Sequence, residues 1–107
     1  MCSSDLVTVT ADYTVANTAA YIINNKSGST MTITLPAASS FTGRAITIQN
    51  YQAQTVVSAS SNVVPQGGGS AGTAILANVA GNWAKLVSDG TNWIILEAAT
   101  FNNLLLE

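Results

Sequence analysis

The chain has 107 residues, a mass of 11.0 kDa and a formal net charge of −2, and only 7% of its residues are charged. The length leaves room for one small domain, and a hydrophobic content of 48% excludes the weakly hydrophobic, highly charged class of disordered chains. Much of the remainder is uncharged and polar, with many threonines, which suit a pleated sheet better than glutamate and lysine do. The composition therefore favours β-structure.

Several function classes are excluded by residues that are missing or scarce. Histidine is absent and cysteine occurs once, so the most common general base is lacking, and neither an internal disulfide nor a thiolate zinc site can be built. Three basic residues cannot neutralise a run of phosphates, and no apolar run reaches the length of a membrane span. We therefore expect no catalytic residue, no metal or other cofactor, no nucleic-acid partner and no membrane insertion.

Hydrophobic residues recur with a period of two along most of the chain. Val7 and Val9 alternate with threonines, as do Met31 and Ile33, and this pattern is typical of strands with one face in a core. The predicted strands are, in chain order, residues 7–10, 21–25, 30–35, 46–49, 55–59, 73–77, 83–88 and 92–97. Because about eight short strands follow one another at roughly 8–12-residue spacing, we predict an all-β fold, an antiparallel β-sandwich without internal repeats of 20–50 residues.

The connections between the predicted strands contain turn-forming residues. Residues 37–42 are interpreted as a turn or a single helical turn. Pro65 and the glycine-rich stretch 66–72 interrupt strand formation and predict an exposed loop. Asp89 and Gly90 predict a tight hairpin, since glycine adopts a positive φ at no steric cost.

The charged side chains offer no convincing catalytic pair. A serine or threonine nucleophile would need Lys26 or Lys85 as its base, and neither lysine lies in a Ser-x-x-Lys spacing. The carboxylates suit turns and termini better than glycoside hydrolysis, although a site shared between subunits stays open as an alternative. Arg44 is expected to pair with a carboxylate such as Asp89 or Glu97 and so to fix a strand end.

Aromatic and amide side chains mark two places suited to binding neutral glycans or proteins. Tyr51, Gln52 and Gln54 occupy a loop between two predicted strands, and Trp83 begins another strand. Aromatic rings stack on apolar sugar faces, and binding residues are frequent on loops. These four residues are the candidate receptor-binding residues, the alternative being that they are loop and strand residues without a binding role.

The strand predicted at residues 92–97 is apolar on both of its faces, and a run of three leucines follows close behind it. A strand of this kind is covered on both faces, and one small core does not hide so much apolar surface. We therefore predict a homo-oligomer. The candidate subunit-interface residues are Ile94, Leu96, Leu104, Leu105 and Leu106.

Six segments together resemble a β-rich module of the fibre proteins of tailed bacteriophages. They are residues 33–38 (Ile-Thr-Leu-Pro-Ala-Ala), 41–44 (Phe-Thr-Gly-Arg), 46–50 (Ile-Thr-Ile-Gln-Asn), 55–57 (Thr-Val-Val), 67–69 (three glycines) and 86–96, which contains Ser-Asp-Gly-Thr-Asn-Trp. The resemblance extends over residues 13–107. Its most specific parts are Leu-Pro-Ala-Ala and Ser-Asp-Gly-Thr-Asn-Trp in combination.

The resemblance implies a non-enzymatic virion surface protein. Such modules form homotrimers near the ends of tail or head fibres, pack with other virion proteins, and in some cases recognise host-surface glycans or proteins. The resemblance transfers no catalytic residue and no receptor residue to this chain. The alternatives are a capsid or tail decoration (cement) protein with a purely structural role and, less favoured, a glycan hydrolase with its site between subunits.

The same interpretation divides the chain into three regions. Residues 1–6 look like a translated adaptor remnant, and we expect a non-native or disordered N-terminus there. Residues 7–99 are expected to form the β-sandwich fibre-type domain, and residues 100–107 an apolar C-terminal tail at the subunit interface. The chain is then expected to be the C-terminal fragment of a longer fibre, a complete small capsid or tail component being the alternative.

Overall fold

The computed structural model describes residues 6–16 and 19–99. A 3-10 helix, Ala38–Ser40, lies in the segment for which the sequence predicts a single helical turn, and that prediction is confirmed. The strands are β1 (Leu6–Val9), β2 (Tyr13–Thr14), β3 (Tyr21–Asn24), β4 (Met31–Thr34), β5 (Ala45–Asn50), β6 (Val56–Ser58), β7 (Val63–Val64), β8 (Ala74–Leu76), β9 (Trp83–Ser88) and β10 (Trp93–Ala99). The predicted all-β class is confirmed for the described part of the chain.

The strands form two sheets, between which the chain passes back and forth. The six-stranded sheet has the order β1-β3-β5-β9-β10-β7, and the four-stranded sheet has the order β2-β4-β6-β8. Neighbours in the runs β1-β3-β5 and β2-β4-β6 are parallel. Through β6, each turn of the chain adds one strand to each sheet, as in a short solenoid. β8 then completes the smaller sheet, and β7, β9 and β10 complete the larger one.

The prediction of a purely antiparallel sandwich of about eight strands is wrong in its strand directions. Among the strand pairs of the described residues, β5–β9, β9–β10 and β6–β8 are antiparallel and the others are parallel. Alternation of apolar and polar residues fixes which side chains face the core, but it is the same for both strand directions. Here the connection between parallel neighbours is a strand of the opposite sheet, so no crossover helix announces them.

The solenoid has no fixed repeat length, because β1 and β3 pair at an offset of 15 residues and β3 and β5 at a larger one. Ile22 lies beside Ile48 and Asn24 beside Asn50, an offset of 26 residues. One sequence trace of this offset is Ile-x-Asn, which occurs at residues 22–24 and again at 48–50. So short a motif, with different residues around it, does not stand out as a repeat.

The core lies between the two sheets and consists of the inward-facing member of each alternating pair. Trp93 is fully buried, as predicted, and its indole Nε1–H donates to the Pro36 carbonyl oxygen at 2.9 Å. Complete burial of an aliphatic side chain stabilises a fold by about 1.5–3 kcal/mol. The other large, fully buried apolar residues are Ile22, Met31, Ile33, Ile46, Ile48, Val56, Val63 and Leu86.

The turn between β9 and β10 is built by the residues that predict it. The Asp89 carboxylate accepts the backbone N–H groups of Thr91 and Asn92, both at 2.8 Å, and Gly90 has a φ of 94°. Next to this turn, the Ser88 hydroxyl donates to the Ala38 carbonyl oxygen at 2.7 Å, and both groups are buried. The hairpin turn is thus fastened to the 3-10 helix, and two segments that carry the fibre resemblance lie side by side.

Candidate interaction surface

The described residues contain no constellation of the kind that catalyses a reaction. They enclose no pocket, and they include no group of three or more acidic or cysteine side chains able to hold a metal ion. None of the helical segments among them is long and apolar enough to cross a membrane. The features that remain are surfaces, one on a sheet and one on a loop.

The first surface is the outer face of the six-stranded sheet, which we call the outer face. Its members lie on β1, β3, β5, β7, β9 and β10 and point away from the core. Most of them alternate with core residues along a strand, and the others are register partners of those residues on a neighbouring strand. Apolar side chains predominate, and the charged members are Lys85 and Glu97, which are cross-strand partners. The outer face comprises Leu6, Thr8, Tyr21, Ile23, Ala45, Thr47, Gln49, Val64, Trp83, Lys85, Val87, Ile94, Leu96 and Glu97.

The outer face brings together two predicted interface residues and one predicted receptor residue. Ile94 is half-buried and lies in register with Val87 on one side and Val64 on the other. Leu96 is 51% exposed, at the irregularity between Ile95 and Glu97 in the β9–β10 pairing. Trp83 is half-buried opposite Gln49, so its indole belongs to this face. Leu104, Leu105 and Leu106 lie outside the described residues.

Two further apolar residues enlarge the exposed part of the outer face. Leu6 and Tyr21 are register partners on β1 and β3, and they are 52% and 54% exposed. Leu6 falls in the region 1–6, and the structure places it in the first strand. Sequence reasoning missed both residues as surface candidates, because alternation gives the spacing of a face without saying whether a second layer covers it.

The second surface is the loop that follows β5, which contains the other predicted receptor residues. Tyr51 is 67% exposed. Gln52 is half-buried, and its Nε2 donates to the Asn25 side-chain oxygen at 2.8 Å. Gln54 bridges the preceding turn when its amide is oriented to suit both neighbours: it donates to the Ser29 carbonyl and accepts from the Gly28 N–H, each at 3.0 Å. The two amides therefore join loops, and Tyr51 is the exposed aromatic residue of this loop.

A buried amide pair holds this loop in place, and sequence reasoning missed it. The Asn24 Nδ2 donates to the Asn50 Oδ1 at 2.9 Å, across the β3–β5 pairing. The Asn50 Nδ2 in turn donates to three carbonyl oxygens, those of Gln54 (2.7 Å), Ala77 (3.1 Å) and Val79 (3.3 Å). Buried polar groups must be paired, so these hydrogen bonds of Asn24 and Asn50 fix the position of the connections between the two sheets. The signal for it was the repeated Ile-x-Asn.

The charged groups of the described residues act locally. Lys26 Nζ lies 2.7 Å from Asp12 Oδ1, and this bond, together with the Thr32 N–H, lowers the pKa of the Asp12 carboxyl below its ordinary value of 3.8. The Asn92 and Thr91 N–H groups lower the pKa of Asp89 in the same direction. Both carboxylates therefore stabilise turns and strand ends by accepting hydrogen bonds.

The expected ion pair between Arg44 and a carboxylate is not formed. The Arg44 guanidinium donates instead to the carbonyl oxygens of Ala16 (2.8 Å) and Ala19 (2.7 Å), and it lies 4.8 Å from the centre of the Phe41 ring. Asp89 is occupied by its own turn, as described above. Arg44 fixes the connection before β3, so its role is structural, as expected, but with carbonyl partners.

No family model matches the chain, and no curated protein sequence matches it.

Proposed function

We propose that this chain is a non-enzymatic structural protein of a bacteriophage virion. In this proposal it is a trimeric fibre module of the β-sandwich type, exposed at the virion surface, that contributes to attachment to a host-surface glycan or protein. The observation that carries the proposal is the outer face, an apolar sheet surface of low charge on a domain that holds no pocket among its described residues. Surfaces of this kind serve protein–protein contacts.

The outer face supports an assembled state for this module. Ile94, Leu96 and Trp83 lie on it together, and exposed apolar residues extend it to the sheet edge at Leu6. Lys85 and Glu97 give it one charge of each sign, so copies of the face do not repel one another. The predicted partners are therefore further copies of the chain and other virion proteins.

Two segments behind the fibre resemblance also support the proposal by their positions. Residues 41–44 join the hairpin turn through bonds from the Gly43 N–H to the Ser88 oxygen (2.8 Å) and from the Ser88 N–H to the Arg44 oxygen (3.0 Å). A motif whose separated parts meet in one structural unit is more specific than its parts. Two of the segments that carry the resemblance are therefore direct neighbours in this chain.

Attachment to a host surface is tested with Tyr51 and a matched control. Binding of the purified chain to a glycan array and to a panel of bacterial cells is measured for the wild type, for Tyr51→Ala and for Tyr21→Ala. Tyr21 is the other strongly exposed tyrosine but belongs to the outer face. We expect Tyr51→Ala to reduce binding by tenfold or more, since a stacking aromatic contributes about 1–3 kcal/mol, and Tyr21→Ala to retain it in the assembled form.

A purely structural role, as a decoration or cement protein, is the second candidate. The observation that favours it is that Gln52 and Gln54 are engaged in bonds between loops, which leaves a single aromatic ring for recognition. An assembled chain that binds no glycan and no cell would overturn attachment and leave this role. Incubation with host polysaccharide that shortens the polymer would instead overturn the non-enzymatic proposal.

A further inference from the structure

The edge of the six-stranded sheet at β1 is an unprotected strand edge. β1 pairs with β3 through one side, and no other strand of the described residues lies on its second side. The Val9 carbonyl accepts the Asn25 N–H at 2.7 Å, so the backbone groups of Val9, and by alternation those of Val7, point to β3. The N–H and C=O groups of Leu6 and Thr8 consequently point away from the sheet, where a further strand would bond them.

The opposite edge of the same sheet is protected. β7 contains only two residues, and Pro65, which has no N–H, follows it directly. The exposed glycine-containing loop 66–70 comes next. Short strands and proline are the usual protection of a sheet edge, whereas β1 has four residues with neither proline nor charge. A head-to-tail contact between β1 and β7 of another copy is therefore disfavoured.

We propose that β1 pairs antiparallel with β1 of a second copy, about a two-fold axis perpendicular to the sheet. Leu6 of one copy then lies opposite Thr8 of the other, and Val7 lies opposite Val7. The outward backbone groups of Leu6 and Thr8 form the hydrogen-bonded pairs, and the two Val7 residues form the central pair without hydrogen bonds. The sheet continues across the axis as one sheet of twelve strands, twice the six of a single copy.

The side chains of β1 suit a second copy on both faces. Val7 and Val9 are half-buried and pack on the core, and the copy's Val7 covers the side of Val7 that the sheet edge leaves open. On the other face, the exposed apolar residues Leu6 and Tyr21 lie next to the axis, so the two outer faces become continuous. No residue of β1 is charged, so the pairing creates no repulsion between its strands. A two-fold contact closes on itself, so it joins single chains, or the proposed trimers, in pairs.

The first test removes one edge N–H without touching the internal ladder. Thr8→Pro blocks the pairing because the Thr8 N–H points outward, while Thr8→Val keeps that N–H and serves as the control. Circular dichroism confirms that each variant is folded, and light scattering behind a sizing column gives its mass. We expect Thr8→Pro to halve the mass of the wild type, whatever contact is made through the outer face, and Thr8→Val to leave it unchanged. A folded Thr8→Pro variant with the wild-type mass would overturn the proposal.

The second test reports the register and is independent of the proline variant. Cys2 is first replaced by serine, and Val7→Cys or Thr8→Cys is added. Two Val7 positions face each other in a pair without hydrogen bonds, about 4.5 Å apart at Cα, which is within reach of a disulfide. Two Thr8 positions are offset by two residues along the strands and also lie on different strands, so their Cα atoms are more than about 7 Å apart and out of reach. Mild oxidation should cross-link Val7→Cys into a covalent dimer and leave Thr8→Cys uncross-linked; equal yields for the two, or no cross-link at Val7, would overturn the pairing.

Discussion

Replacement of Asn50 by alanine is expected to be among the most damaging single changes in this domain. The side chain is 1% exposed, and it joins β3, the loop after β5 and the segment around Ala77 through four hydrogen bonds. Alanine removes all four. The Asn24 Nδ2 and the carbonyls that faced Asn50 are then left buried without this partner.

The expected loss follows from the number of groups that become unpaired. Each buried polar group left without a partner costs about 1–3 kcal/mol. The two hydrogens of the Asn50 Nδ2 serve the carbonyls of Gln54 and Ala77 at the shorter distances, 2.7 and 3.1 Å, and the Asn24 amide is the third group affected. The free energy of unfolding should therefore fall by at least about 3 kcal/mol, a large part of the roughly 5–15 kcal/mol typical of a domain.

Urea unfolding followed by tryptophan fluorescence measures this loss, since Trp93 is fully buried. Ser60→Ala is the control, because Ser60 is exposed in a loop and does not belong to the outer face, and the change should alter stability by less than about 0.5 kcal/mol. The double variant Asn24→Ala with Asn50→Ala should lose less stability than the sum of the losses of the two single variants, since the two side chains share one hydrogen bond. A loss below about 1 kcal/mol for Asn50→Ala would refute the stabilising role of the Asn24–Asn50 amide pair.

Three further predictions concern turns, the core and pH. Gly90→Ala should lower the free energy of unfolding by more than about 1 kcal/mol in a urea titration. The reason is that Gly90 has a φ of 94° and that a Cβ there would lie 3.1 Å from the Thr42 hydroxyl oxygen. Gly67→Ala is the control, because Gly67 has open space around it and no positive φ. Trp93→Ala should cost about 3–5 kcal/mol and lower Tm accordingly, since it empties the core and leaves the Pro36 oxygen without its donor, whereas an unchanged Tm would contradict the burial of Trp93. Stability should be nearly constant at neutral pH and fall as the pH drops through and below 3.8. The pKa values of Asp12 and Asp89 are lowered in the folded state, so the stability that these carboxylates contribute is lost when they are protonated. In thermal melts, Asp89→Asn should reduce the fall of Tm at acid pH.

The alternation of apolar and polar residues predicted which side chains face the core better than it predicted how the strands are connected. Which residues face the core, such as Ile46 and Ile48, follows from alternation alone, and the hairpin at Asp89 and Gly90 follows from turn chemistry. Strand direction does not, because a residue's inward or outward placement is the same in parallel and antiparallel pairs. The solenoid path of the chain was therefore out of reach of the pattern.

The candidate surfaces were predictable only in part for a related reason. The two-faced apolar strand correctly indicated that Ile94 and Leu96 share an outward face, and the half-buried Trp83 joins them only once β9 and β10 are paired. Gln52 and Gln54 looked like free recognition groups, but their partners at residues 25 and 28–29 come from a loop distant in sequence. Hydrogen bonds of this kind depend on register, which the sequence pattern leaves open.

Assembly of the chain through the outer face is the central claim, and the molar mass of Thr8→Pro tests it most directly, since that variant lacks pairing at the β1 edge. Light scattering of the folded variant should give a mass three times that of the 11.0 kDa chain. Adding Ile94→Glu and Leu96→Glu should reduce it to a single chain. A mass of 11.0 kDa for Thr8→Pro itself would contradict the claim, because the apolar outer face would then remain uncovered in solution.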